Sequence, residues 1–166
     1  MFVSFEQLPA TSRIWIYQSA RQLNGTEINT ISTHLRAFSE NWEVHGSPLP
    51  ASFKIFYDQL IVLAAGDETS GCSIDTSVRV MKQLSAEIGV DLLDRTRIAL
   101  FKEGGLVTVP VAKLKEHIKA GEIASRTLLF DNTIQTLSEL RERWPAPAEE
   151  TWLKRFFSEK AIVKNA

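Results

Sequence analysis

The chain has 166 residues, 44% of them apolar and 23% charged, enough apolar side chain for one domain-sized core. Its 19 Lys and Arg against 20 Asp and Glu leave a formal net charge of -1, which argues against a general phosphate-backbone binder. The longest purely apolar run, Leu60–Ala65, is far short of the ~18 residues a spanning helix needs, and Glu6 precedes any basic residue, so neither membrane insertion nor a signal peptide is expected. A single cysteine, Cys72, makes no internal disulfide, and the expected compartment is the reducing cytoplasm.

In chain order, Arg13–Gln18 is rich in β-branched and aromatic residues and too short for a helix, so it reads as the first strand. Asn24-Gly25 breaks the chain, and Thr26 is the expected cap of a helix whose stripe is Ile28, Ile31, Leu35, Phe38 and Trp42, ending near His45-Gly46. Pro48 and Pro50 punctuate the return, and strands over 53–57 and 60–65 flank Asp58-Gln59 as a hairpin. A loop rich in Gly, Asp, Thr and Ser leads to a second helix with Ile74, Val78, Met81, Leu84 and Ile88 on one face, stopped by Gly89.

Strands over 97–101 and 106–109 flank Gly104-Gly105, which supplies the positive φ angles of a tight hairpin. A short helix follows with Val111, Leu114 and Ile118 on one face and Gly121 at its end, then a strand over 127–130. Thr136 and Glu139 have the spacing of a capping box and open a helix with Leu137, Leu140 and Trp144, which Pro145 stops. Residues 145–148 read as a stiff connector, and 151–157, with Trp152, Leu153, Phe156 and Phe157, as a segment that docks on the domain.

The order through Phe101 is strand, helix, strand, strand, helix, strand, the split βαβ arrangement of ferredoxin-like folds. The expectation is an α+β fold in one domain: a ferredoxin-like βαββαβ core over 1–103, a C-terminal β-α-β-α extension over 104–157 packed on it, and a frayed tail over 158–166. Helices in such a core cover one sheet face, and Trp15, Tyr17, Phe53 and Tyr57 disfavour a bare second face. The C-terminal third is expected to cover it, with a homodimer as the alternative to a monomer.

The stretch Asp67-Glu68-Thr69-Ser70-Gly71-Cys72-Ser73-Ile74-Asp75 sets a thiol and several hydroxyls at the start of a helix. Free amides and the helix dipole there can bind an anion or lower a thiol pKa from its ordinary ~8.5. Against this, the stretch holds Asp67, Glu68 and Asp75 and no base, the nearest being Arg79. The favoured account makes Ser73 a cap, Asp75 a dipole partner, Gly71 a turn residue and Cys72 a small buried hydrophobe. A hard-cation site on Asp67, Glu68, Asp75 and the hydroxyls of Thr69 or Ser70 is a weaker alternative, because the calcium-loop spacing is missing. Six residues separate Cys72 from Arg79, against five in tyrosine-phosphatase loops, and Gly71 stands where those loops carry histidine.

His34, His45 and His117 show no metal-ligand spacing, and His45 is expected at a helix C-terminus. No G-x-x-x-x-G-K-[ST] or G-x-G-x-x-G run occurs, so neither phosphate loop nor dinucleotide fingerprint is present. The basic, glycine-bearing strand signature of an RNA-recognition motif is missing too, and no nucleic-acid partner is expected.

The runs Arg13-Ile14-Trp15-Ile16-Tyr17-Gln18, Ser70-Gly71-Cys72-Ser73-Ile74-Asp75-Thr76-Ser77-Val78-Arg79 and Gly89-Val90-Asp91-Leu92-Leu93-Asp94-Arg95 resemble a family of short bacterial proteins, many of them labelled "ABC transporter ATPase". The resemblance runs over most of the chain and is most specific around Cys72. It implies no catalytic residues, and the missing phosphate loop separates it from ATP hydrolysis. The expected function is that of a cytosolic binding or accessory protein without cofactor or metal. It would meet a protein or small-molecule partner through Asp67, Glu68, Thr69, Ser70, Gly71, Ser73, Asp75, Arg79 and nearby aromatics. The alternative is an enzyme with Cys72 as nucleophile toward an acyl or phosphoryl group.

Overall fold

A computed structural model describes residues 1–66 and 71–158, without the side chains of 71–73. The described chain is α+β with antiparallel strand pairing throughout its sheets. It divides into two compact units, one of residues 1–94 with 132–141 and one of residues 95–131 with the chain from 142 onward.

The first unit is built on strand β1 (Arg13–Gln18), helix α1 (Gly25–Glu40), a small hairpin of β2 (Glu43–Val44) and β3 (Ser47–Pro48), strands β4 (Ala51–Phe56) and β5 (Leu60–Ala65), and helix α2 (Gly71–Ile88). Its sheet has the order β1-β5-β4, with Arg13 opposite Ala65 and Ala51 opposite Ala65 from the other side. That is the order of the first three strands in a split βαβ arrangement. The fourth strand expected beside β1 belongs to the other unit's sheet. Beside β1 there are instead two isolated bridges, Arg13 with Thr136 and Gln18 with Leu93.

Strand alternation decides which side chains meet the helices. Trp15, Tyr17, Phe53, Ile61 and Leu63 join Ile31 and Leu35 of α1 and Met81 and Leu84 of α2 in one core cluster. The aromatics therefore face the helices, where the sequence reading set them on the opposite face. Ile14, Ile16, Val62 and Ala64 alternate to that opposite face and are buried as well. At the outer edge of β1, the Ile14 amide donates to the Gln135 carbonyl and the Leu137 amide to the Ser12 carbonyl, so residues 135–137 lie beside the start of β1.

Helix α1 starts one step earlier than Thr26. Asn24 is its cap, accepting from the Glu27 amide at 2.9 Å while the Glu27 carboxylate accepts from the Asn24 amide at 2.9 Å. This is a reciprocal capping box that satisfies two end amides. The helix stops at Glu40, and Trp42 beyond it is buried against Phe38 and Trp15, with ring centroids 4.6 and 5.5 Å away. His45, expected at a helix end, is a turn residue of the β2–β3 hairpin, with φ 52° followed by Gly46 at φ 78°.

The second unit contains β6 (Arg97–Lys102), β7 (Gly105–Pro110), helix α3 (Leu114–Lys119), β8 (Leu128–Phe130) and β9 (Ala146–Pro147), with sheet order β7-β6-β8-β9. Helix α4 (Leu137–Arg143) crosses the boundary between the units. Residues 146 and 147 are thus an end strand and not a connector. Ile98, Leu100, Leu114, Ile118, Ile123, Leu129, Ala148 and Leu153 form this unit's core, with Trp152, Phe156 and Phe157 packed against it. The aromatic segment after Pro147 docks here as its composition demands.

Candidate functional site

The stretch singled out by sequence is only partly in view. Asp67, Glu68, Thr69 and Ser70 lie outside the described residues, as do the side chains of Gly71, Cys72 and Ser73. The backbone of α2 is helical from Gly71, so Cys72 stands in the first turn and Ser73 is inside the helix, not its cap. The tail at 159–166 lies outside the described residues too.

Beyond Ser73 the helix is fully defined. Ser77, Met81 and Leu84 are its buried positions, while Asp75 and Arg79 are exposed. Ile74, expected in the apolar stripe, is 37% exposed. At position 77 a buried serine sits on the inward face. Its hydroxyl donates to the Ile74 carbonyl at 2.8 Å and is hydrogen-bonded to the Tyr17 hydroxyl 3.1 Å away. A polar residue hides in an apolar periodicity because the partner that satisfies it comes from β1, which no local pattern can report.

On the outward side, Asp75 and Arg79 are spaced four apart and share one helix face. The exposed aromatic nearest the sheet is Tyr57, 44% exposed in the β4–β5 turn with φ 54°. Trp15, Tyr17 and Phe53 are taken up by the core.

The histidines make local pairs that sequence spacing did not reveal. His34 Nδ1 lies 2.9 Å from the Thr30 carbonyl and Nε2 3.2 Å from Glu87 of α2, an exposed link between two helices. His117 Nδ1 contacts the Glu122 carboxylate, and Lys102 Nζ donates to the Glu122 carbonyl. Among the described residues there is no group of three or more His, Cys, Asp or Glu arranged to hold a metal. Among them, too, no helix is long and apolar enough to cross a membrane.

Charge is tuned at two exposed places in the first unit. The Arg21 guanidinium, hydrogen-bonded to Glu27, together with the Asn24 amide, holds the Glu27 carboxyl down at about 2. In return Glu27 raises Arg21 above its ordinary value. Lys54, first by its hydrogen bond, and then the Ser4 hydroxyl lower Glu6 to about 2. Both are carboxylate anchors for the fold, with no open reaction partner beside them.

No protein-family model, curated protein or solved structure matches the chain.

Proposed function

We propose that this chain is a cytosolic binding or accessory protein that meets a protein partner on the exposed surface of the first two turns of α2. The observation that carries the reading is that Ile74, a large apolar side chain 37% exposed, and the charged Asp75 and Arg79 are all exposed within these turns. Exposed apolar surface with charges of both signs nearby is the composition of a small contact patch. The outer face of a helix is convex, and small-molecule sites are concave, so the reading favours a polypeptide over a metabolite. Asp67, Glu68, Thr69 and Ser70 precede these turns in sequence.

Membership in the family of short bacterial proteins labelled "ABC transporter ATPase" belongs to the same proposal, supported by the three sequence runs around Trp15, Cys72 and Asp91. With no phosphate loop in the sequence, that membership carries no ATP hydrolysis. The first unit reads as a split βαβ core in which isolated bridges to Thr136 and Leu93 stand beside β1 in place of a fourth strand, supported by its β1-β5-β4 order.

The test is a photo-crosslinking residue at Arg79, with a control at Lys115 on α3, in an extract of the source cells. The reading expects a discrete adduct from position 79 that disappears with Ile74→Asp. No adduct above the control, or the same adduct from position 115, defeats it.

The second reading, Cys72 as a nucleophile, has its support in the place of Cys72 in the first turn of an 18-residue helix, where the dipole favours a thiolate. Alkylation rate against pH, folded and in denaturant, separates the two. A folded-state midpoint well below the ordinary ~8.5 selects the enzyme, and equal midpoints or a protected thiol select the binding protein.

A further inference from the structure

The sheet of the second unit has two end strands, β7 and β9. End strands present outward amides and carbonyls that template the addition of another strand, and proteins blunt them with proline, charge or short length. β9 is two residues long and includes Pro147, which has no N–H to offer. β7 is six residues long and needs another device.

In the β6–β7 hairpin the turn closes on the pair Lys102 and Gly105, so alternate residues from Gly105 bond inward to β6. The backbone groups of Leu106 and Thr108 point to the outer side. Val107 between them is 40% exposed. Arg97 stands on β6 opposite Pro110 and reaches diagonally across β7. Its Nε donates to Thr108 Oγ1 at 3.1 Å and its Nη2 to the Thr108 carbonyl at 3.3 Å. One guanidinium thus engages both oxygens of the residue at the middle of the edge.

We infer that Arg97 is a guard against strand addition: it engages the Thr108 carbonyl and places a positive charge at the β7 edge, keeping a second copy of this chain from pairing there. The pairing it opposes has a definite register. Two copies of β7, antiparallel about a two-fold at Val107, set Leu106 opposite the second copy's Thr108 and press the two Val107 side chains together. Beyond that window Pro110 ends the run of donors.

The experiment is light scattering on size-exclusion fractions across a hundredfold range of protein concentration, with circular dichroism to confirm folding. The unmodified chain is expected at the mass of one chain throughout. Arg97→Ala is expected to climb toward twice that mass, and Arg97→Ala with Val107→Lys to return to one. Arg97→Gln, which keeps a polar stem but cannot hold both oxygens, carries the same expectation where Arg97→Ala does not fold. Three results overturn the inference: a folded Arg97 variant that stays at one chain mass, association that survives Val107→Lys, or an unmodified chain that already dimerises and is dissociated by Val107→Lys.

Discussion

The Tyr17 hydroxyl and Ser77 Oγ are joined by a buried hydrogen bond of 3.1 Å, and Ser77 Oγ also donates to the Ile74 carbonyl at 2.8 Å. The bond ties the middle of β1 to the second turn of α2, the helix that carries the proposed contact face. Tyr17→Phe keeps the ring in its cluster and removes the hydroxyl, at an expected cost of about 0.5–1.5 kcal/mol. Ser77→Ala, which also removes the bond to the Ile74 carbonyl, is expected to cost at least as much, and the double change is expected to cost less than the sum, because both changes cut the bond between the two hydroxyls. A double-mutant cycle by urea denaturation reads this directly; strict additivity would show that the two hydroxyls act separately.

The same pair marks where the sequence stops being legible. Apolar period and turn residues place α1, α2, the two long hairpins and the short α3, because each is written in local spacing, while the expected caps Thr26 and Ser73 prove to lie inside their helices. Ser77 on the inward face breaks the apolar stripe through a partner sixty residues away. Sheet membership fails for the same reason. The strand at 97–102 reads correctly as a strand, yet its hydrogen bonds go to β7 and β8 and not to β1, and a strand's partner is not encoded in its own alternation. Pro147 hid β9, since proline disfavours a strand except at the sheet's end, which is where β9 lies. Of the residues singled out by sequence, Asp75 and Arg79 are exposed, while Trp15, Tyr17 and Phe53 serve the core.

The β6–β7 turn offers a stabilising change. The positive φ angles fall on Glu103 at 52° and Gly104 at 75°, one residue earlier than the Gly104-Gly105 pair expected from sequence. A two-residue turn with both φ positive favours Asn-Gly, and glutamate is poorly suited to the left-handed region. Glu103→Asn is expected to stabilise the hairpin by a few tenths to about 1 kcal/mol. A rise in the thermal midpoint without change in the far-ultraviolet spectrum confirms it, and an unchanged or lower midpoint contradicts it.

Leu153 tests the docking of the chain's last described segment. It has no exposed surface and belongs to the second unit's core with Leu114, Ile118 and Leu129. Leu153→Ala is expected to destabilise by about 2–5 kcal/mol, the range for a buried leucine whose cavity does not collapse. Proteolysis followed by mass spectrometry is the check: cleavage is expected to spread through residues 151–158 in the variant. A variant as resistant as the parent would mean that Leu153 contributes no packing.

Glu27 sets the acid limit of the first unit. Its carboxylate closes the α1 capping box and bonds the Arg21 guanidinium at 2.8 Å, and in the folded chain it is held at about 2, below its ordinary 4.5. A folded value below the unfolded one means that the unfolded chain takes up the proton first as pH falls. The contribution of Glu27 is therefore complete above the ordinary carboxylate range and is lost as pH drops from there through about 2. Glu27→Gln keeps an acceptor for the Asn24 amide and removes the charge that Arg21 meets. The stability gap between parent and variant is thus expected to be constant near neutral pH and to close on the way to pH 2. Denaturant titrations at a series of pH values measure that gap, and one that stays the same across the acid range rules the charge out as the source of the effect.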